Sequence, residues 1–155
     1  MRIDILAVGR LKKGPEAALV ADYLDRFGKQ GRSLGLPPVG VIEVEDRRGG
    51  GMAAEAELLA RAIPPGAALV MLDERGAQPT SPDFAARLAD YRDRACDLCF
   101  VIGGADGLLP ALRDRADLQI SFGRMVWPHL LVRVMLAEQL YRAATILAGS
   151  PYHRV

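Results

Sequence analysis

A chain of 155 residues, half of them hydrophobic and a quarter charged, is long enough to bury a real core on ordinary burial scaling. Its 20 basic residues against 19 acidic ones leave a net charge of +1, so no global field draws it to nucleic acid, and any such contact must come from local patches. No uninterrupted apolar stretch reaches the roughly 18 residues of a membrane span, and the opening MRIDILAVGR is too short and too charged for a signal peptide, so a cytoplasmic protein with no membrane partner is expected.

Residues 2–8 (RIDILAV) form a short apolar run and read as the first strand. Pro15 then opens an amphipathic helix, with Ala18, Leu19, Tyr23, Leu24 and Phe27 at helical spacing. Residues 39–44 (VGVIEV) are the second strand. The basic, glycine-rich stretch DRRGGG at 46–51 is either a solvated connector or a contact to an RNA backbone. Residues 52–63, rich in Ala, Glu and Leu, are helical, and Pro64, Pro65 and Gly66 end that helix. Residues 67–72 (AALVML) are apolar throughout, as a strand covered on both faces should be, and 73–76 (DERG) leave its carboxyl end. Ser81 followed by Pro82 has the look of a helix cap and a first-turn proline, starting a helix through Arg94.

Residues 98–102 are the fourth strand, and 103–107 (GGADG) leave its carboxyl end. A short helix over 109–115 leads to a fifth strand over 118–122, and a loop follows as far as Pro128. Pro128 suits the first turn of one long helix, whose apolar residues recur at Leu130, Val134, Ala137, Leu140/Tyr141, Ala144 and Leu147. Gly149 stops it, backed by Pro151. Tyr152, His153 and Arg154 then offer a phenol, an imidazole and a permanent cation in a row. Strands alternating with helices at this spacing imply an α/β fold: a mostly parallel sheet with helices on both faces, in a single domain over 1–155.

In open α/β sheets ligands bind outside the carboxyl ends of the strands, which here means the loops at 72–74, 103–107 and 122–127. The glycine loop is neither a Walker loop nor GxGxxG. Its adjacent glycines serve either a tight turn that needs positive φ or a close backbone approach to a ligand. Cys96 and Cys99 lead into the fourth strand, no second cysteine pair exists, and His129 and His153 lack finger spacing; buried thiols are expected, and no metal. His129, beside the expected crevice, reads as a hydrogen-bonded structural histidine. Glu138 and Arg142 share a helix face, as a solvated pair or as a device that orients the tail.

The run PHLLVRVMLAEQLYRAATILAGSPYHR, from Pro128 to Arg154, resembles the C-terminal signature of the ribosomal large-subunit methyltransferase H family. With FVIGGADGL at 100–108 and the total length, the resemblance covers essentially the whole chain. It implies a knotted, SPOUT-like α/β methyltransferase that uses S-adenosylmethionine to methylate N3 of a pseudouridine in a stem-loop of large-subunit (23S) ribosomal RNA. The positions that match the family's cofactor cradle are Leu72, Gly103, Phe122, Gly123, Arg124, Met125, Val126 and Trp127. Trp127 either stacks on the adenine or packs under the last helix. The resemblance further implies a homodimer in which one subunit's tail completes its partner's site. There Tyr152 would stack on the base, His153 would relay a proton through water, and Arg154 would stabilise charge on the carbonyl oxygens. The alternatives are a knotted methyltransferase acting on tRNA or another rRNA position, and a flavodoxin-like binding module without catalysis. Against the last, the loop after the first strand, GRLKKG at 9–14, has no hydroxyl residue to cradle a phosphate.

Overall fold

The computed structural model describes residues 1–154. It has strands β1 (Ile3–Val8), β2 (Val39–Val44), β3 (Ala68–Ala77), β4 (Leu98–Ile102) and β5 (Leu118–Ile120). The helices are α1 (Pro15–Gly31), α2 (Gly51–Ala62), α3 (Ser81–Asp93), α4 (Pro110–Arg113) and α5 (His129–Leu147). The five strands form one sheet in the order β2-β1-β4-β3-β5, every neighbouring pair parallel.

Successive residues of the central strands point to opposite faces, because the side-chain period of a strand is two. Ile3, Ile5, Ala7, Val70, Leu72, Leu98, Phe100 and Ile102 therefore pack on one face with Phe27 of α1, Phe84 and Leu88 of α3, and Leu136 and Leu140 of α5. Leu6, Val8, Leu69, Met71, Cys99 and Val101 pack on the other with Leu59 of α2 and Leu112 of α4. Both faces are covered, which is why β1, β3 and β4 read as apolar runs rather than alternating ones. Burial also pushes the Cys99 thiol up to about 12, with Asp4 adding to the shift, so it stays a protonated, inert member of the core.

Several element ends differ from the sequence expectation. β3 does not stop at Leu72 but runs to Ala77, because Leu72 and Ala77 both pair with Ile120 across an irregularity that pushes the charged residues between them outward. The cap of α3 is Thr80, not Ser81. Its hydroxyl accepts from Asp83 N at 3.2 Å while Asp83 reaches back to Thr80 N at 3.3 Å, a reciprocal box that leaves Pro82 in the first turn. β5 ends at Ile120, so Ser121 and Phe122 already belong to the loop. Pro128 is itself the cap of α5, with ψ 135, and His129 is the first helical residue. The far end of α5 is as expected: Gly149, at φ +67, donates to Ile146 O at 3.0 Å while Ser150 donates to Thr145 O at 2.9 Å, a Schellman closure that glycine alone adopts without strain.

The buried stripe of α5 contains a cation. Arg133 is 0% exposed although it lies among Leu136, Ala137 and Leu140. Its guanidinium donates to Val8 O at 3.1 Å, Gly9 O at 3.0 Å and Glu43 Oε2 at 2.9 Å. Those acceptors are carbonyls at the carboxyl end of β1 and a side chain of β2, so one residue ties the start of α5 to the edge of the sheet. Arg133→Met should lower the unfolding free energy by about 3 kcal/mol, because two carbonyls, one of them buried, and a carboxylate lose their donor. A urea midpoint shifted down at constant m-value would show this; a loss below about 0.5 kcal/mol would mean that the clamp is energetically idle.

Candidate active site

The chain from β5 to α5 crosses the carboxyl edge of the sheet from β3 towards β1. Beneath this passage lies a cavity of about 750 Å³, walled by the ends of β3, β4 and β5 and by the first turn of α5. It sits where the chain after β3 leaves for the α3 face while the chain after β4 leaves for the α4 face, the place at which parallel sheets open a crevice.

Three local devices build the walls. The first is the irregularity in β3. Asp73 Oδ1 accepts from Arg75 N at 3.0 Å, a turn that exposes Glu74 and Arg75 and keeps Asp73 mostly buried, and Arg113 NH1 stands 3.7 Å from the same oxygen. Gly76 then presses on β5 so closely that a Cβ there would lie 2.6 Å from the backbone N and C of Ile120. The second is the glycine loop. Gly107, at φ +81, supplies the left-handed turn and donates to Gly104 O at 3.0 Å. Neither Gly103 nor Gly104 has positive φ; Gly103 is required because the loop folds back onto it, and a Cβ would meet Gly107 O at 2.6 Å. The third is the turn after β5, where Ser121 Oγ accepts from Gly123 N at 3.1 Å and donates to Gly123 O at 2.8 Å.

Of the residues that the sequence singles out for a cofactor, Leu72, Gly103, Phe122, Gly123, Met125, Val126 and Trp127 all line this cavity. Arg124 does not line it and is exposed. Trp127 is not packed under the last helix, since it is 42% exposed at the cavity mouth beside Met125 at 75% and Val126 at 80%. Asp73, Glu74 and Asp106 add an acidic wall, and His129 closes the β1 side. Behind the glycine loop, Glu55 of α2 leans on Gly104 with its carboxyl pushed above the ordinary range, first by burial and then by Asp106 and Asp46.

His129 lies in the wall with its imidazole pushed below its ordinary value by burial and by Arg133 one turn along. The fold holds it neutral, whereas the unfolded chain takes up a proton near pH 6.5. Its contribution to stability is therefore complete above about pH 6.5 and is lost as the pH falls below that value. His129→Gln should be less acid-sensitive than the wild type in urea unfolding between pH 7.5 and 5; parallel pH profiles would contradict the assignment.

The tail lies elsewhere on the monomer. Tyr152 donates its hydroxyl to Glu138 Oε1 at 3.1 Å, its ring lies 4.8 Å from that of Tyr141, and the Arg142 guanidinium sits 4.9 Å over it. Burial and the bond to Glu138 push the Tyr152 phenol up to about 12, so it remains a donor. Arg142, bonded to Glu138 at 3.0 Å, also reaches His153 Nδ1 at 3.2 Å. Arginine has no acceptor atom, so Nδ1 accepts and the imidazole proton sits on Nε2. Nε2 is buried with no partner among the described residues. Glu138 and Arg142 are thus not a merely solvated pair; they hold the tail against α5. Glu138 stands about 14 Å along the helix axis from His129, at ~1.5 Å per residue. Tyr152, His153 and Arg154 are not among the residues that line this chain's own cavity.

Asp73, Glu74 and Asp106 lie in the strand-end loops that the sequence singles out, whereas Glu55 has no signal in it, because nothing local marks which carboxylate of α2 will face the glycine loop. Arg133 has one: an arginine within the apolar rhythm of a helix either snorkels or is clamped.

Residues 1–153 match the sequence model of a family described as predicted SPOUT methyltransferases. A ribosomal RNA large subunit methyltransferase H from Paracoccus denitrificans is 74% identical over 154 residues, which is 99% of each chain. One from Cereibacter sphaeroides is 69% identical over 155 residues, the whole of both chains. A solved structure of a probable methylase family protein from Haemophilus influenzae Rd KW20 is similar in fold, with a TM-score of 0.55 at 11% identity, over 99% of this chain and 70% of that one. By sequence over its whole length and by fold, the chain belongs to the SPOUT methyltransferases, in the ribosomal RNA large subunit methyltransferase H family.

Proposed function

We propose that this chain acts as one catalytic domain, in the cytoplasm and as a homodimer, and transfers the methyl group of S-adenosylmethionine to N3 of a pseudouridine in a stem-loop of 23S ribosomal RNA, within the ribosome and without a metal. The observation that carries the proposal is the convergence of Leu72, Gly103, Phe122, Gly123, Met125, Val126 and Trp127 on one cavity in a member of this family. The cavity suits the cofactor. Leu72, Ile102, Leu108 and Ile120 offer an apolar bed for an adenine, the loop closed on Gly103 brings backbone amides to the wall, and Asp73, Glu74 and Asp106 complement a sulfonium and an ammonium. When bound, the cofactor supplies an electrophilic methyl group, so the protein's work is alignment, exclusion of water and management of one proton.

That proton is on the imide nitrogen and must leave before or during attack. Arg154 stabilises the charge that develops on the adjacent carbonyl oxygens, and Tyr152 stacks on the base. His153, with Nδ1 engaged by Arg142 and Nε2 buried, serves as an acceptor for the proton only after leaving Arg142. The tail reaches the site from a second copy. Met125, Val126, Trp127 and Leu131 support this, since they leave an exposed apolar rim where α5 begins. The family resemblance implies a knot in which the C-terminal segment is threaded through an earlier loop.

The test is methyl transfer from labelled S-adenosylmethionine to ribosomes, free 23S rRNA and bulk tRNA from a strain lacking the gene, with mass spectrometry of the product nucleoside. Methylated pseudouridine in 23S rRNA is expected. Label in tRNA or on another nucleoside would replace the proposed substrate, and a purified protein that binds flavin instead of S-adenosylmethionine would overturn the proposal altogether.

A further inference from the structure

The cavity accounts for the ends of β3, β4 and β5, but the carboxyl ends of β1 and β2 carry a feature of their own. Because β1 pairs with β2 on one side and β4 on the other, the loop at 9–14 lies between the loop at 45–50 and the glycine loop. The loop at 9–14 is tied to the end of β2, from which the loop at 45–50 leaves: Gly9 N donates to Val44 O at 2.8 Å and Leu11 N to Glu43 Oε2 at 2.6 Å. The two loops carry Arg10, Lys12, Lys13, Arg47 and Arg48, all exposed.

The acids that would offset these cations are largely taken up. Glu43 is held by the buried Arg133 and by Leu11 N. Asp46 accepts from Arg48 N at 3.0 Å and from Gly50 N, so its carboxylate shapes the loop. Of the acids on these two loops Glu45 faces the rim, with Arg10 Nε at 3.9 Å and Arg47 Nε at 3.7 Å on the same oxygen, while Glu16 of α1 stands beside Gly14. Lys12, Lys13 and Arg48 make no ion pair among the described residues. A chain of net charge +1 thus concentrates cations along one stretch of edge that adjoins the cavity at Gly9, where a Cβ would lie 4.0 Å from His129 Nε2.

We infer that this edge is the docking surface for the RNA backbone flanking the target nucleotide. The inference rests on the RNA-methyltransferase reading above and adds to it the face by which RNA arrives. Exposed guanidinium and ammonium groups on adjoining loops suit a run of phosphates, which such contacts position without reading sequence. The loops present no exposed apolar or aromatic side chain that would insert into a lipid surface. Arg133 has a second consequence here: by neutralising Glu43 from inside, it keeps a carboxylate from repelling phosphate at the centre of the rim.

The experiment measures binding of the full-length protein to an unmodified 23S rRNA transcript over a range of salt, without cofactor. Lys12→Ala/Lys13→Ala and Arg47→Ala/Arg48→Ala should each weaken binding about tenfold or more at low salt. Each should also flatten the dependence of log K on log[salt] by about 1 to 2, the change expected on losing one or two phosphate contacts. S-adenosylmethionine affinity should stay at the wild-type value, and methylation should show a raised KM for RNA with kcat nearly unchanged. Arg61→Ala, at the end of α2 that faces the opposite edge, should change none of these. Wild-type salt slopes in the folded double variants would overturn the docking surface. So would wild-type protein that binds anionic vesicles through these residues but not RNA. A wild-type protein that binds RNA with this slope yet methylates none would overturn the enzymatic reading and leave the docking surface standing.

Discussion

Gly103→Ala should lower the affinity for S-adenosylmethionine at least a hundredfold, whereas Gly104→Ala should change it less than about threefold, although the two glycines are adjacent and neither has positive φ. The difference lies in what each added methyl would meet. At Gly103 it would lie 2.6 Å from Gly107 O and 2.8 Å from Gly107 C, atoms of the backbone that cannot swing aside, so the loop that walls the cavity must open. At Gly104 it would meet only the Glu55 carboxyl oxygens, at 2.7 and 2.9 Å. That side chain is flexible, and burial and the neighbouring Asp106 and Asp46 already disfavour its charge, so turning it towards water costs little. A hundredfold loss corresponds to about 2.7 kcal/mol of binding free energy. Calorimetric titration of both variants, with circular dichroism to confirm the fold, checks the contrast. Equal affinities for the two would show that the loop does not touch the cofactor.

The second large effect is expected at the tail. A chain ending at Ser150 should fold, dimerise and bind S-adenosylmethionine normally, yet methylate ribosomal RNA at least a thousandfold more slowly. None of the residues of either core cluster, nor those packed against them, lies beyond Leu147, so the lost contacts are the tilted contact of the Tyr152 ring with Tyr141, the Arg142 guanidinium over that ring, and the bonds to Glu138 and Arg142 on the outside of α5. An aromatic pair of this kind is worth about 0.5–1.5 kcal/mol, a modest fraction of a domain's stability. Arg154→Ala alone should lower kcat more than cofactor affinity, the pattern of an interaction made mainly in the transition state. A mixing test decides whose cavity the tail serves. Gly103→Ala subunits keep their tails, and truncated subunits keep their cavities, so each homodimer should be inactive. Coexpressed, they should regain activity through one intact composite site per heterodimer. Failure of the mixture, with heterodimers demonstrated, would mean that the tail serves its own subunit. Wild-type rates in the truncated chain would make it a frayed end.

The sequence by itself determined the elements whose signals are local. β1 and β4 follow from apolar runs that need cover on both faces, β2 from a short β-branched run at the sheet edge, α1 from Pro15 and a helical rhythm, and the end of α5 from Gly149, because each depends on a few neighbouring residues. Seven of the eight residues singled out for the cofactor wall one cavity, because a parallel sheet sends every strand's carboxyl end to the same edge. Only the tertiary structure decided the rest. The charged residues after Leu72 read as a loop, yet Ala77 returns to pair with Ile120, a contact between segments distant in sequence that no local pattern encodes. Arg133 breaks the apolar stripe of α5 in the sequence and completes it in the fold, because the carbonyls of β1 and the carboxylate of Glu43 are brought to it from the other end of the chain. In the sequence Gly103 reads either as a turn glycine or as one that lets a ligand approach; it has no positive φ, and the fold requires it for space against Gly107, which depends on where Gly107 comes to rest. The tail's chemistry is written in three consecutive residues. Its position, folded back on Glu138 and Arg142 and away from the residues that line the cavity of its own chain, depends on where α5 presents partners to Tyr152 and His153.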